Sequence, residues 1–254
     1  MQALLQLARR SIVRTIRNPA LVAQGIAFPL FIFAFNVGGL DLATSLPGFP
    51  TESYVTFGLA LTFAYCGIYA VTVAGAQLGE DVKTGFIRRM TLTPTRGSVL
   101  LLAQLGGVVV FAVFQALIFL LIGLAAGARI EAGVGGAVVI VGLAALFSVA
   151  FGALGLTVAL LTRSNEAVQA VFPLFMAALF FSSVGLPREL IQTDWFQTIA
   201  TYNPVSYLIE APRSLLVEGW DAQALLLGVL VAVGTLATAL VMTVSSLRSM
   251  SVAR

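Results

Sequence analysis

An all-α polytopic membrane fold with six transmembrane helices is what this sequence predicts, on three observations. Of 254 residues, 59% are hydrophobic and 10% charged, whereas soluble domains carry about 25% charged residues. The charges are bunched between apolar runs, and each run is long enough, at roughly 20 residues or more, to cross a hydrocarbon core. The runs are separated by polar stretches rich in Pro, Gly or charge. Such a composition excludes an ordinary soluble enzyme. The one cysteine, Cys66, lies inside an apolar run. It can form no internal disulfide and reads as a small apolar filler. Histidine is absent, which removes histidine metal sites and histidine proton relays.

Residues 2–17 predict an amphipathic helix. At about 100° per residue, Leu4, Leu5, Ala8, Ile12 and Ile16 share one face, and Arg10, Arg14 and Arg17 the opposite one. Such a helix lies in the membrane interface with its arginines toward anionic headgroups, and its charges exclude a cleavable signal. Asn18-Pro19 then reads as N-cap and first helical residue. The first span covers 20–40, and 41–53 is a polar loop with Pro47, Gly48 and Pro50. The second span is 54–78. After the charged stretch 79–96, the third span is 98–127, a tight turn holds Arg129 and Glu131, and the fourth is 132–162. These two exceed a perpendicular crossing and must tilt or project. A small polar loop, 163–166, leads to the fifth and shortest span, 168–186. A long polar segment, 187–221, precedes the sixth span, 222–247, and a basic tail.

The long segment has its own pattern. Thr193 is placed to cap a short helix over 194–200, and Asn203-Pro204 opens a second, which Pro212 should kink. Trp195, Tyr202, Tyr207 and Trp220 are aromatics suited to headgroup depth. The segment is too apolar for a free loop and too broken for a span, so two re-entrant helices are expected, buried against protein or a wet cavity. Six spans put both termini on one side. With that side cytoplasmic, it holds eleven of the fourteen basic residues, as the positive-inside rule requires. No internal repeat, low-complexity tract or linker interrupts the chain, so residues 1–254 read as one membrane domain in the cell membrane.

The chain has no phosphate-binding loop. Its only lysine, Lys83, sits in Asp-Val-Lys-Thr-Gly with no preceding glycine, so nucleotide is not cradled here. No charge lies clearly within a span, which argues against an ion-coupled carrier and against an intramembrane hydrolase. Energy for transport must then come from a partner on the cytoplasmic face. Residues 79–96 suit that contact, with six of the 25 charged side chains. A helix is expected over 80–93, closed by Pro94, with Val82, Phe86 and Met90 as an apolar stripe. Glu80 and Asp81 would lie in its first turn and Arg88 and Arg89 near its end, matching the helix dipole. The stripe fits a partner's hydrophobic groove or rests on the membrane surface; pattern alone leaves both open.

Glu80-Asp81, Gly85-Phe86, Arg88-Arg89-Met90, Thr93-Pro94 and Arg96 resemble the loop between the second and third spans of ABC transporter type-2 permeases, particularly the daunorubicin-resistance type. Asn203-Pro204-Val205-Ser206-Tyr207, with Glu210-Ala211 and Arg213, resembles the stretch before the last span in that family; Pro212 departs from its pattern. The resemblance implies the permease subunit of an exporter for a hydrophobic or amphipathic compound such as a drug, antibiotic or lipid. It implies a second permease, identical or homologous, and a separate ATP-binding subunit that carries ATP and Mg. The chain itself would hold no cofactor, metal or catalytic residue, and no nucleic acid would be a partner. Glu80, Asp81, Val82, Phe86, Arg88, Arg89, Met90 and Pro94 would couple to the ATPase. The amino-terminal helix would be an elbow at the interface. The two outer helices, with Trp195, Asn203, Pro204, Tyr207, Glu210 and Arg213, would form a lid or lateral gate. The pathway would lie between permeases along spans 1, 2 and 5, with Phe28, Phe31, Asn36, Thr62, Gln169, Phe172, Phe175, Ser182 and Ser183 as candidates. Residues of these kinds also pack helix against helix, as Ser148 and Gly152 in the fourth span are expected to. The alternative function is a non-transporting membrane anchor or scaffold for a cytoplasmic ATPase. A passive channel is less supported, since no ring of polar residues recurs.

Overall fold

The computed structural model describes residues 13–14, 17–85, 97–162 and 164–252. Eight α-helices and no strand occur among them: α1 Pro19–Leu40, α2 Tyr54–Lys83, α3 Gly97–Ala125, α4 Gly133–Thr162, α5 Asn165–Phe180, α6 Asp194–Tyr202, α7 Pro204–Val217 and α8 Ala222–Val252. Of the expected interfacial helix only Val13, Arg14 and Arg17 are described; the first two are helical, and the Arg17 amide donates to Val13 O at 2.9 Å. Phe86, Arg88, Arg89, Met90 and Pro94 lie outside the described residues.

α1, α2, α3, α4 and α8 are long and apolar enough to cross a membrane. α2 is the axis. Its apolar window is wholly enclosed, while α1 and α8 are peripheral. It packs against α1, α3, α4, α5 and α7. Small residues allow this. A Cβ added at Gly155 of α4 would overlap the carbonyl of Val71 in α2, and one at Gly67 would sit 2.8 Å from Phe147 Cβ. α2 and α4 therefore approach to backbone contact, as small-residue faces permit. Ser148 and Gly152 are buried as packing residues, Gly152 facing Leu105 and Val108 of α3. Cys66 is buried, its thiol 3.4 Å from the carbonyl of Thr62.

α1 begins as expected: Asn18 Oδ1 accepts from the Leu21 amide at 3.3 Å, and Pro19 follows. Pro29 within α1 has no N–H to give to the Gly25 carbonyl. Gln115 of α3 supplies the missing donor, Nε2 lying 2.6 Å from Gly25 O. Tyr69 of α2 donates to Leu21 O at 2.7 Å. A Cβ at Gly25 would come 2.7 Å from Tyr69 Cε1, so the glycine admits both donors. Gln115→Leu keeps the volume and strands the Gly25 carbonyl. The expected loss is about 1–2 kcal/mol, seen as a lower melting midpoint in detergent. An unchanged midpoint would show that this bond does not hold α1.

Three expectations are corrected. No separate helix starts at Glu80, since Glu80, Asp81, Val82 and Lys83 form the last turn of α2. Helical bonding continues to Thr84, whose amide donates to Glu80 O at 2.9 Å. Gly85, at φ 67°, takes the left-handed conformation that ends helices. The fifth helix stops at Phe180, not at residue 186. At 16 residues it spans about 24 Å, short of an apolar core of about 30 Å. Thr193 occupies the cap position of α6 but makes no side-chain cap bond. α7 runs through Pro212 without interruption, and Asn203 caps it through Val205 N at 3.0 Å.

Candidate functional site

The bundle has two polar ends. At the end opposite the start of α1, helices α6 and α7 join at Asn203-Pro204, which meets the end of α5. Asn203 Nδ2 donates to Ala178 O at 2.6 Å and to Phe181 O at 3.0 Å. The chain from Phe181 to Gly185 is not helical, so its carbonyls need outside donors. Arg213 of α7 gives Nη1 to Ser183 O at 2.7 Å and Nη2 to Val184 O at 3.2 Å. Tyr54 at the start of α2 donates to Gly185 O at 2.9 Å. The Ser183 amide donates to Ser206 Oγ at 3.2 Å, and Ser206 in turn donates to Ala200 O at 2.6 Å. Non-helical backbone buried in an apolar bundle is tolerated only when protein satisfies it in this way.

Charge completes the clasp. Ser183 Oγ donates to Glu210 Oε1 at 2.7 Å, and Arg188 pairs with Glu210 Oε2 at 2.6 Å. Arg188 also lies 4.8 Å over the Tyr207 ring, and Tyr207 donates to Thr201 O at 2.8 Å. Arg213 is 7% exposed and stacks 3.7 Å above Phe57. Burial pulls its pKa down to about 10, with Glu210 opposing, so it stays charged at neutral pH. A cavity of about 340 Å³ opens beside the clasp, carrying Arg188, Glu189, Glu210, Arg213, Glu218 and Asp221. A second cleft, mainly apolar, borders the same segment between Leu40, Leu46, Phe180 and Phe196. Trp195, Tyr202 and Trp220 are exposed around this end, and Pro204 is exposed where α6 and α7 join.

Midway along the bundle, α1, α2 and α5 meet in an aromatic cluster. Phe28 packs edge-on against Phe172 at 6.3 Å and tilted against Tyr65 at 5.8 Å. Tyr65 stacks on Tyr69 at 5.7 Å. Phe31 and Gln169 are exposed. The structure thus brings Phe28 and Phe172 together, with Phe31 and Gln169 on the outer surface of the same two helices. The other candidates lie apart from this cluster. Thr62 is buried and bonds within α2 to Leu59 O. Ser182 is buried and bonds to Leu179 O, and Ser183 belongs to the clasp. Phe175 packs against Phe151 of α4 at 5.2 Å. Asn36 donates to Ile32 O in its own helix. Tyr65 and Tyr69 were missed from sequence because they sit inside an unbroken apolar run.

At the other end, Glu80 is exposed but Asp81 is not. Asp81 Oδ1 accepts from Arg14 at 3.0 Å and Oδ2 from Gln104 of α3 at 3.1 Å. A carboxylate spent inward does not present to a partner, so Asp81 leaves the expected docking surface. Two residues on, Lys83 pairs with Glu166 of α5 at 3.2 Å, and Ser164 donates to that same carboxylate at 2.6 Å.

Five helices long and apolar enough to cross a membrane, packed around an enclosed central one, define a multi-pass helical membrane protein. The family model for ABC-2 type transporters matches residues 2–217, and the chain belongs to that family. It is similar to the Probable doxorubicin resistance ABC transporter permease protein DrrC of two strains of Mycobacterium tuberculosis. Identity is 25% over 223 residues, covering 86% of this chain and 78% of the relative.

Proposed function

We propose that the chain is the membrane permease subunit of an ATP-driven exporter for a hydrophobic or amphipathic compound. One observation carries the reading: this is a multi-pass ABC-2 family protein whose sequence has no phosphate-binding loop, so ATP is hydrolysed in another polypeptide. The relative named for doxorubicin resistance supports export and an amphipathic cargo. The end holding Arg14, Lys83 and Glu166 faces the cytoplasm, in line with the bias of basic residues. A second permease packs along α1 and α5, and cargo passes between the two beside Phe28, Phe31, Gln169 and Phe172. The ATP-binding subunit docks on Glu80 and on the stretch with Phe86, Arg88, Arg89, Met90 and Pro94. The α6–α7 pair, through Asn203, Tyr207, Glu210 and Arg213, is the gate on the outer side.

Co-purification with candidate ATP-binding subunits tests this directly. In inverted vesicles the pair should accumulate an amphipathic fluorescent dye only with ATP. Phe86→Asp and Met90→Asp should each lower ATPase association at least tenfold, the effect of about 1.4 kcal/mol at an interface. Association untouched by both substitutions would remove the coupling assignment. ATPase binding with no dye-dependent turnover would instead mark an anchor.

A further inference from the structure

The last turn of α2 touches three other elements. Asp81, its side chain 3% exposed, accepts from Arg14 on the amino-terminal segment through one oxygen and from Gln104 on α3 through the other. The same Arg14 Nη1 reaches Gln77 O at 3.4 Å. Lys83 reaches α5 through Glu166, an exposed pair with side chains 47% and 78% accessible. These ties differ in kind. A buried carboxylate cannot lose a partner without leaving charge uncompensated, whereas an exposed ion pair is screened and contributes little. Asp81 thus ties the last turn of α2 to α3 through Gln104 and to the amino-terminal segment through Arg14. The helix that carries it is the enclosed axis of the bundle.

We propose that Asp81 is a positioning residue that binds the amino-terminal segment at Arg14, α2 and α3 into one mechanical unit. Displacement of the segment between α2 and α3 is then delivered to α2 as a whole. The exposed Lys83–Glu166 pair between α2 and α5 is the screened comparison at the same end. The identity of the displacing partner rests on the proposed function; the tie itself does not. Gln104 supports a stringent test, because its Oε1 is buried without a partner. A rotated amide would present that oxygen to a cation at position 81, so Asp81→Arg with Arg14→Asp rebuilds the tie with signs reversed.

The test uses the full chain with its ATP-binding subunit in nanodiscs. Spin labels go on Val13→Cys and Leu102→Cys, both exposed positions, with Cys66→Ala to remove the native thiol. The unaltered pair should give one narrow distance, the same with and without ATP. Asp81→Asn should broaden it and lower dye moved per ATP about tenfold, a coupling change of ordinary size, with ATP turnover retained. The reversed pair should restore both, and Lys83→Ala should leave the distance narrow. If Asp81→Asn fails to accumulate, Arg14→Asp alone against the reversed pair decides by the same readouts. A narrow distance and full coupling in Asp81→Asn, or no rescue by reversal, would overturn the proposal. A parent protein that binds no ATPase overturns the functional reading instead, while the distances still decide the tie.

Discussion

Arg213→Ala should lower stability by about 3–5 kcal/mol, the range for removing one partner from a buried charged network. The residue gives two bonds to Ser183 and Val184 carbonyls and stacks on Phe57. Those carbonyls lie on non-helical backbone, so no neighbouring turn replaces the donor. Each buried orphan costs about 1–3 kcal/mol, and the emptied guanidinium site adds a cavity. Arg213→Lys keeps the charge but loses the planar fork and the stacking, and should fall between. The two tryptophans of the chain, Trp195 and Trp220, both lie near the clasp, and Trp195 packs against Phe181 at 6.5 Å. Their fluorescence on heating in detergent reports the clasp directly. A melting midpoint for Arg213→Ala equal to the parent's would show that α6 and α7 are held by packing alone.

The apolar runs made most of the helices legible, because a charge-poor stretch of sufficient length has few alternatives in a bilayer. Asn18-Pro19 and Asn203-Pro204 were legible as helix starts because capping is local. What failed was set by distant partners. α5 ends early because Asn203 and Arg213 take the carbonyls of residues 178–184, and residues 181–186 are themselves apolar enough to read as helix. Asp81 looked like the start of a partner-facing helix because its charge followed an apolar run. Its burial depends on Arg14, 67 positions away, and on Gln104, 23 positions away. The motif before the last span was recognised from residue types, yet its work as donor to a broken helix shows only in the fold. Gly155 carried no signal at all, since one glycine among many apolar residues does not announce which backbone it touches.

That glycine sets the second large effect. Gly155→Ala should cost more than about 4 kcal/mol, beyond the usual range of single substitutions. The added Cβ would overlap the Val71 carbonyl, which is backbone and has no rotamer to escape into. Either α2 and α4 separate or the helix at Val71 distorts. Separation also loosens Gly67 against Phe147 and Gly75 against the Gly155 carbonyl, which lies 2.9 Å from a Cβ built there. Gly142→Ala is the matched control on the same helix: it is exposed, and its Cβ meets nothing within 4 Å. It gains helix propensity of up to about 1 kcal/mol and should melt at or slightly above the parent. Propensity favours alanine equally at both sites, so the difference between them isolates the α2–α4 contact. Equal midpoints for the two variants would mean that α2 and α4 are not in backbone contact at Val71.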